Sequence, residues 1–188
     1  MDAIYQIFKR EFDISDQDWQ IFASKLVRQE FPKKTILLNV GETEQFLSFI
    51  EKGIIRQFIP GIENDLTFGF GFKGAFLSAY DSFLSQKPCT YTTECITPVT
   101  LWRMTYDDLQ RVYEETEIGN LIGRKTSEEL FLRKSARELS LLHQTAEERY
   151  LSLFEERPEL FQRVPLKYIA SYIGVTPQAL SRIRKRIS

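Results

Sequence analysis

The sequence predicts an α+β protein in which a β domain is flanked by helices and followed by a small helix-turn-helix unit. Short apolar runs separated by turn residues fill residues 33–104, whereas apolar residues on both sides of this segment recur at helical spacing. The last stretch, VPLKYIASYIGVTPQALSRIRKR at 164–186, fits two short helices that break at Gly174-Val175-Thr176. With 188 residues, 43% of them apolar, the chain has room for one full domain and one small one.

Two helices are predicted at the N-terminus, within residues 1–30. Apolar side chains at helical spacing mark both: Ile4, Ile7, Phe8 and Phe12 in the first, and Trp19, Phe22, Leu26 and Val27 in the second. Ser15-Asp16 is expected to start the second helix and Pro32 to end it, because proline cannot continue a helix.

Short runs of strand-forming residues predict the β domain. They lie at 35–38, 46–50, 54–59, 66–70, 91–96 and 99–104. Strands of this length at intervals of roughly ten residues are typical of a sandwich or a barrel. Residues 74–87, between the fourth and fifth runs, are expected to form one or two helical turns.

A long helix is predicted to begin at Thr105, where acidic residues occupy the first turn, and to continue unbroken through Leu142. Leu132, Ala136 and Leu139 repeat along it at spacings of four and three residues. This stripe is shorter than the roughly three or four heptads that identify a coiled coil. It fits either a two-stranded seam with a second copy of the chain or packing against the β domain.

The C-terminal residues carry the turn chemistry of two further helical features. Thr145-Ala146-Glu147-Glu148 is a capping box that opens a helix, which Pro158 is expected to close. In the last stretch, Thr176 is well placed as an N-cap and Pro177 as the first helical residue. Gly174 lies where the preceding helix must end in a left-handed conformation. Turn chemistry and apolar spacing together indicate a helix-turn-helix.

Positive charge is concentrated in the same stretch. Residues 161–188 contain six Lys or Arg and no Asp or Glu, whereas the first 160 residues carry a net charge of −7. A cation excess confined to one small unit is expected for contact with nucleic-acid phosphates. A basic face that simply contacts solvent is the alternative. The outward residues of the last helix are Gln178, Ser181, Arg182 and Lys185, flanked by Arg184 and Arg186.

The available residue types exclude several functional classes. His143 is the only histidine and lies on the predicted long helix, so we expect neither a cupin-type metal site, which needs two or more histidines, nor a Ser-His-Asp arrangement. We expect no enzyme activity, metal or cofactor. Cys89 and Cys95 fit no redox or zinc motif and are expected to be reduced thiols, with redox sensing by Cys89 as the open alternative. No apolar run approaches the roughly 20 residues that span a membrane. The N-terminus also lacks a secretory signal, so we expect a cytoplasmic location without a membrane partner.

The order of β domain, long helix, short helix and helix-turn-helix resembles the Crp/Fnr family of bacterial transcription regulators. FLSFIEKGIIRQF (46–58) resembles the strand-Gly-strand unit that opens the family's double-stranded β-roll. TAEERYLSLF and VPLKYIASYIGVTPQALSRIRK resemble the ending of a Bacteroidetes-type branch. The resemblance implies an RmlC-like jelly-roll sensor domain, of the cyclic-nucleotide-binding type, over 1–115. It further implies a dimerisation helix over 116–144 and a DNA-binding domain over 145–188.

The resemblance also implies partners and roles. The partner would be double-stranded DNA, and its bases would be contacted by Gln178, Arg182 and Pro177. Pro177 stands where many members carry a polar base-reading residue. Phosphate contacts would come from Thr176, Ser181, Lys185, Arg184 and Arg163. A second copy of the chain would pair along Leu132, Ala136 and Leu139. RNA polymerase and an unidentified small-molecule effector complete the expected partners.

The effector region departs from the members that bind cyclic nucleotides. Those members carry Gly-Glu for the ribose and Arg-Ser or Arg-Ala for the phosphate, whereas this chain has Gly74-Ala75 and Cys89-Thr90. Lys87 is a nearby point charge and a poor replacement for a bidentate arginine, so we expect no cyclic nucleotide to bind. No cysteine precedes Cys89, so the iron–sulfur cluster of the oxygen-sensing branch is not expected either.

Two further points stay open at the level of sequence. The aromatic residues Phe68, Phe70, Phe72, Phe76, Tyr80 and Phe83 fit either a hydrophobic core or an apolar effector pocket. The short gap before the helix-turn-helix is expected to leave no room for the family's wing hairpin. The competing function is a small-molecule-binding signalling module whose C-terminal helical hairpin contacts protein instead of DNA.

Overall fold

The computed structural model describes residues 1–187. Its helices are α1 (Asp2–Phe12), α2 (Asp16–Ser24), α3 (Tyr80–Ser85), α4 (Tyr106–Glu115), α5 (Gly119–His143), α6 (Ala146–Glu156), α7 (Pro158–Arg163), α8 (Leu166–Ile173) and α9 (Pro177–Ile187). Its strands are β1 (Val27–Phe31), β2 (Ile36–Leu38), β3 (Phe46–Lys52), β4 (Ile54–Ile59), β5 (Leu66–Phe72), β6 (Phe76–Leu77), β7 (Thr92–Cys95) and β8 (Val99–Thr105).

The strands form two four-stranded sheets, in the orders β1-β8-β3-β6 and β2-β7-β4-β5. The pairs β1–β8, β3–β8, β3–β6 and β2–β7 are antiparallel. An apolar cluster of Ile50, Ile55, Cys95, Val99 and Leu101 forms the core of this β-roll. The predicted α+β class and β-roll are therefore confirmed, and all six predicted strands are present.

Residues 27–31 form a strand, so the prediction that the second helix continues to Pro32 is wrong. The helix ends at Ser24, and β1 pairs with β8 from Val27 opposite Arg103 to Phe31 opposite Val99. Val27 and Phe31 are the apolar residues of this segment, and a spacing of four places them on one face of a helix or of a strand. The apolar spacing therefore fits either a helix or a strand, and pairing with β8 makes this segment a strand.

The long helix breaks at Thr116, so the prediction of an unbroken helix from Thr105 to Leu142 is also wrong. Thr116 is extended, with φ −119° and ψ 147°. Its hydroxyl donates to the Val112 carbonyl at 2.6 Å and accepts the Gly119 N–H at 3.0 Å. A Cβ on Gly119 would lie 2.4 Å from the Thr116 Oγ1, so this approach requires glycine. Side-chain capping thus ends one helix and starts the next without a proline.

A second apolar cluster joins the N-terminal helices to the β-roll. Its buried members are Ile4, Phe8, Ile14, Phe22, Leu26, Phe49, Phe83, Met104, Leu109 and Val112. Phe76 and Tyr80 pack against it, and Phe83 is fully buried. These three members of the aromatic group considered in the sequence therefore belong to, or border, a packed core.

Residue contacts divide the chain into two compact units. The first unit comprises residues 1–57 and 70–128, and the second combines residues 58–69 with the chain from 129 onward. The predicted three-part division, with boundaries after 115 and 144, follows expected roles and stays a prediction.

In the second unit the capping box is formed as predicted. The Thr145 side chain accepts the Glu148 N–H, and the Glu148 side chain accepts the Thr145 N–H. Pro158 begins α7 after α6 has ended at Glu156, and α7 leads directly to α8, with no strand between them. Every element between β8 and Ile187 is helical.

The start of α5 depends on a side chain from α2. Asp18, 6% exposed, accepts the Ile118 N–H at 3.1 Å. Asp18→Ala is expected to lower the free energy of unfolding by about 1–3 kcal/mol, because this N–H loses its acceptor. Asp18→Asn retains an acceptor oxygen and is expected to cost less. Urea unfolding measures both, with Gln17→Ala as the exposed neighbouring control; equal stability of the two alanine variants would contradict the capping role.

Candidate nucleic-acid interface and effector region

The C-terminal helices meet in a turn whose geometry follows from three residues. Gly174 ends α8 in the left-handed conformation, with φ 81°, and its N–H bonds the Ser171 carbonyl at 3.1 Å. Pro177 is the first residue of α9. The Thr176 hydroxyl accepts the Ala179 N–H at 3.2 Å, as an N-cap does. The predicted turn chemistry is confirmed residue by residue.

Apolar contacts between α8 and α9 decide which face of α9 points outward. Ile169, Ala170 and Ile173 of α8 are buried, as are Leu180 and Ile183 of α9. Burying five side chains of this kind stabilises the pair by several kcal/mol, at about 25 cal/mol per Å² of apolar surface. The remaining face of α9 is consequently left to solvent.

The structure places every residue predicted to contact DNA at the surface. Those on and just before α9 are Thr176, Pro177, Gln178, Ser181, Arg182, Arg184 and Lys185, all exposed. Gln178 and Arg182, four residues apart, share one face of the helix. Arg163 is exposed at the C-terminal end of α7, so it belongs to a different element. Arg186 is also exposed and forms an ion pair with Glu147.

A groove on the same surface has a volume of about 410 Å³. Its floor contains Leu166, Pro177 and Leu180, and its polar lining consists of Ser181, Arg184 and Lys185. Apolar atoms therefore lie beside cationic ones along α9, from Pro177 to Lys185. This combination suits a deoxyribose–phosphate backbone, which presents both kinds of surface.

Two arginines that the sequence analysis did not single out hold the C-terminal end of α8. Arg137 of α5 donates to the Tyr172 carbonyl, and its guanidinium carbon lies 4.0 Å from the centre of the Tyr172 ring. Arg149 of α6 donates through Nε to the Ile173 carbonyl at 2.8 Å. The last carbonyls of a helix lack intrahelical partners and carry partial negative charge, so cations stabilise them. Burial lowers the pKa of Arg137.

Ser171, which lies within α8, makes a third contact between this helix and the rest of the second unit. Its hydroxyl accepts the Thr67 N–H at 2.8 Å and donates to the Asp65 carbonyl at 2.6 Å. The segment at 58–69 is thereby hydrogen-bonded to the first helix of the helix-turn-helix. Contacts between residues about 100 positions apart leave no local pattern in the sequence, so they could not be predicted from it.

The five positions of the expected effector region lie on both sides of α3. Gly74, with φ +90°, and Ala75 occupy the turn before β6, and Lys87, Cys89 and Thr90 follow α3. Lys87 and Thr90 are exposed, whereas Cys89 is 3% exposed. The Cys89 N–H donates to the Glu42 carbonyl at 2.8 Å, and its carbonyl accepts the Gly41 N–H at 2.8 Å. Cys89 is therefore part of the packed interior.

A buried acid occupies the same region and was not predicted. Glu44, 6% exposed, accepts the Phe46 N–H at 3.0 Å and the Ala79 N–H at 3.4 Å. A guanidinium nitrogen of Arg103 lies 3.9 Å from its carboxylate. Burial raises the pKa of Glu44, although these contacts oppose the rise. Glu44 stands between a turn and a strand, where nothing in the sequence marks it as buried.

The electrostatics around Cys89 disfavour both an anion and a thiolate. Burial raises the pKa of the Cys89 thiol, and the negative charges of Asp81 and Glu44 raise it further. Burial raises the pKa of Cys95 to about 12. Both thiols are therefore protonated at neutral pH, which argues against redox sensing by Cys89. The expectation that cyclic nucleotides do not bind stays a prediction.

Residues 1–187 contain no group of three or more His, Cys, Asp or Glu side chains positioned to hold a metal ion. No helix in that part of the chain has the length and apolar character needed to cross a membrane.

The family model for the cyclic nucleotide-binding domain matches residues 28–116. This segment runs from β1, through both sheets, to the end of α4. Residues 28–116 form a cyclic nucleotide-binding domain.

Solved structures resemble the chain over most of its length. The c-di-GMP-responsive global regulator CLP of Xanthomonas campestris has a TM-score of 0.69 at 18% identity, covering 92% of this chain and 91% of that one. A mutant of CooA from Carboxydothermus hydrogenoformans scores 0.71 at 14% identity, covering 93% and 80%. A Crp/Fnr-family protein from Eubacterium rectale, described as a transcriptional regulator, scores 0.71 at 15% identity, covering 93% and 83%.

These likenesses extend beyond the cyclic nucleotide-binding domain to the long helix and the helix-turn-helix. At such identities they show the fold, and the resemblance to Crp/Fnr regulators drawn from the sequence is confirmed at that level. A comparison with curated protein sequences gave no match. The Bacteroidetes-type branch stays a prediction.

Glu44 gives the cyclic nucleotide-binding domain a specific pH dependence. Its pKa in the folded protein is above the ordinary value of 4.5, so the folded state binds the proton more tightly than the unfolded chain. Its contribution to stability is therefore lost as the pH rises from about 4.5 through the folded-state pKa. Glu44→Gln keeps an acceptor for the Phe46 N–H and removes the charge, so its stability relative to the wild type should increase with pH.

Urea unfolding between about pH 4.5 and 7.5 measures this difference in stability between the variant and the wild type. A tenfold change in the proton affinity of Glu44 on folding corresponds to about 1.4 kcal/mol of unfolding free energy. Glu63→Gln, at an exposed position, is the control and should show no such trend. A stability difference between Glu44→Gln and the wild type that is constant across this range would contradict the assignment.

Proposed function

We propose that this chain is a sequence-specific, DNA-binding transcription regulator of Crp/Fnr type that inserts α9 into the major groove. The observation that carries the proposal is the exposed face of α9, which presents Gln178, Ser181, Arg182 and Lys185 opposite the buried Leu180 and Ile183. No Asp or Glu occurs between 161 and 188, so the phosphates would meet no carboxylate from this segment.

The residue types suit definite roles. Arg182, two turns into α9, has the length and fork geometry to donate to guanine O6 and N7, and Gln178 suits the N6/N7 edge of adenine. Pro177 would contact a base through its ring, since it has no donor. Thr176, Ser181, Arg184, Lys185 and Arg163 would contact phosphates. These contacts position the helix and contribute affinity without reading sequence.

The proposal includes a two-fold dimer built along α5. Leu132 and Leu139 are 65% and 54% exposed, and Ala136 between them is also exposed. A stripe of exposed apolar side chains on one helix is costly in water and is removed when two copies pair. Such a dimer would place its recognition helices on half-sites about 34 Å apart, in an inverted repeat.

The remaining partners follow from the same proposal. A bacterial regulator of this type works where the chromosome lies, in the cytoplasm, and acts on RNA polymerase. Its effector is not a cyclic nucleotide, because an anionic phosphate beside Glu44 and Cys89 would meet a buried carboxylate, and the neighbouring Arg103 already faces that carboxylate at 3.9 Å. The proposed activity requires no catalytic residue, metal or cofactor.

Arg182 is the most specific residue of the proposal to test. Arg182→Ala is expected to cost about 1–3 kcal/mol on the preferred site and to relax preference at one base pair. Lys185→Ala, the matched control on the same helix, should weaken all sequences alike and reduce the salt slope by about one. Selection of bound sequences from random DNA, followed by affinity measurements, distinguishes the two variants.

If the wild type and Arg182→Ala select the same motif with equal preference at every position, Arg182 does not read a base. If the wild type binds no duplex at low salt, the competing function, in which the C-terminal hairpin contacts protein, replaces this one.

The dimer is tested independently of DNA. Replacing both Leu132 and Leu139 by Asp would bring charge into the apolar seam and is expected to cost several kcal/mol of association free energy. Light scattering should then report a dimer for the wild type and a monomer for the double variant. Lys134→Asp, on the same helix but outside the stripe, should remain dimeric. A monomeric wild type at micromolar concentration would contradict the proposal.

A further inference from the structure

A cleft in the first unit lies outside the five positions of the expected effector region. It is bounded by α3, α4 and the first turns of α5, and its volume is about 420 Å³. Sites for small molecules typically occupy about 300–1,000 Å³. Neither the turn at Gly74-Ala75 nor residues 87–90 line it. We call it the tyrosine cleft, after Tyr80, Tyr106 and Tyr113 in its wall.

The aromatic wall of the tyrosine cleft is fixed from behind. Tyr80 stacks on the fully buried Phe83 with ring centres 6.2 Å apart and planes at 15°. Tyr106 meets the same Phe83 ring edge to face, at 5.4 Å and 68°. Because one buried ring supports both tyrosines, a ligand would find two aromatic surfaces already oriented, which lowers the entropic cost of binding.

Gly123 makes room for the third tyrosine. A Cβ at this position would lie 2.6 Å from the Tyr113 hydroxyl oxygen, so any larger residue would displace the phenol. Burial raises the pKa of Tyr113 to about 12, so its hydroxyl is a neutral donor at physiological pH. The Tyr80 hydroxyl contacts the Ser127 hydroxyl at 3.2 Å, which extends the polar rim along α5.

The rest of the lining contains two carboxamides and one cation. Gln110 and Asn120 contribute the amides, and Asn120 donates to the Tyr113 carbonyl at 3.0 Å. Arg124 contributes the cation, and no Asp or Glu is among the residues that line the cleft. A cleft with aromatic faces, neutral donors and a single guanidinium is complementary to a planar molecule with one negative charge.

Arg124 can turn to a ligand at little cost. It pairs with Glu128 at 2.7 Å, but both side chains are about half exposed, and such pairs contribute little to stability. Lys125 lies 3.6 Å from the other carboxylate oxygen of Glu128, so Glu128 keeps a partner when Arg124 moves. A ligand carboxylate would gain a bidentate contact that the exposed ion pair does not fully use.

We propose that the tyrosine cleft binds an aromatic carboxylate, with its ring against Tyr80 and Tyr106 and its carboxylate on Arg124. A ligand there would contact α3, α4 and α5 at once and would stabilise one arrangement of α5 relative to the other two. Its role as the regulator's effector rests on the function proposed above, whereas binding itself does not.

The test uses the full-length protein without DNA and three probes: 4-hydroxybenzoate, 1-naphthoate and the neutral 1-naphthylmethanol. Calorimetry should give a dissociation constant below about 1 mM for at least one of the two carboxylates. The neutral probe should bind roughly tenfold more weakly than 1-naphthoate, because it cannot form the charged contact. Cyclic AMP, as a phosphate ligand, should not compete with the carboxylates.

Arg124→Gln should weaken carboxylate binding roughly tenfold and leave the neutral probe unaffected. Arg111→Gln is the matched control, since Arg111 is an exposed arginine on α4 that does not line the cleft. Tyr113→Phe, which keeps the ring and removes the hydroxyl, is a second variant expected to fold and to bind more weakly. Circular dichroism checks that each variant is folded.

Two results would overturn the proposal: no binding of either carboxylate at about 5 mM, or equal binding by Arg124→Gln and the wild type. DNA affinity is measured separately, with and without the probe. Probe binding without any DNA binding would contradict the proposed function and support the binding site. DNA binding without probe binding would support the proposed function and contradict the binding site.

Discussion

The C-terminal end of α8 is the constraint on which the second unit depends. A helix end leaves carbonyls without partners, and those carbonyls carry the negative end of the helix dipole. Here Gly174 turns the chain in the left-handed conformation, while Arg137 and Arg149 donate to the carbonyls of Tyr172 and Ile173. The end of α8 is thereby satisfied by the helices before it. The chain then reverses into α9 with its apolar stripe buried.

The orientation of α9 is the functional consequence. Because Leu180 and Ile183 must meet α8, Gln178 and Arg182 cannot also face inward, and the cationic surface is directed to solvent by packing. Electrostatics would then supply affinity for DNA, while the geometry of one or two long polar side chains would supply the choice of base. In this account stability and recognition use opposite sides of the same eleven-residue helix.

Residues 28–116 match the cyclic nucleotide-binding domain, and apolar packing holds their fold together. Two sheets and the helical core need only apolar side chains in register, and these are present. Cys89 and the Glu44 carboxylate are buried in the expected effector region, and the Arg103 guanidinium lies 3.9 Å from that carboxylate. The ligand proposed for the tyrosine cleft would act instead through α3, α4 and α5, which enclose that cleft.

The sequence was informative where structure is decided locally. Thr176, Pro177 and Gly174 specify a turn from their own backbone preferences, and the six predicted strands follow from short runs of strand-forming residues between turn residues. The prediction failed where contacts between residues distant in sequence determine the structure. Val27–Phe31 is a strand because it pairs with β8. The break in the helix at Thr116 also depends on Asp18, which accepts the Ile118 N–H. Glu44 and Arg137 are surface residue types whose burial depends on the assembled fold.

The central claim is that α9 and its flanking cations bind duplex DNA. Fluorescence anisotropy with a labelled random-sequence duplex of about 30 base pairs, at salt concentrations from about 50 to 200 mM, tests it directly. The account predicts binding at low salt that weakens linearly on logarithmic axes, with a slope of about −0.9 for each phosphate contacted. An absence of binding at low salt, or an affinity that does not change with salt, would contradict it.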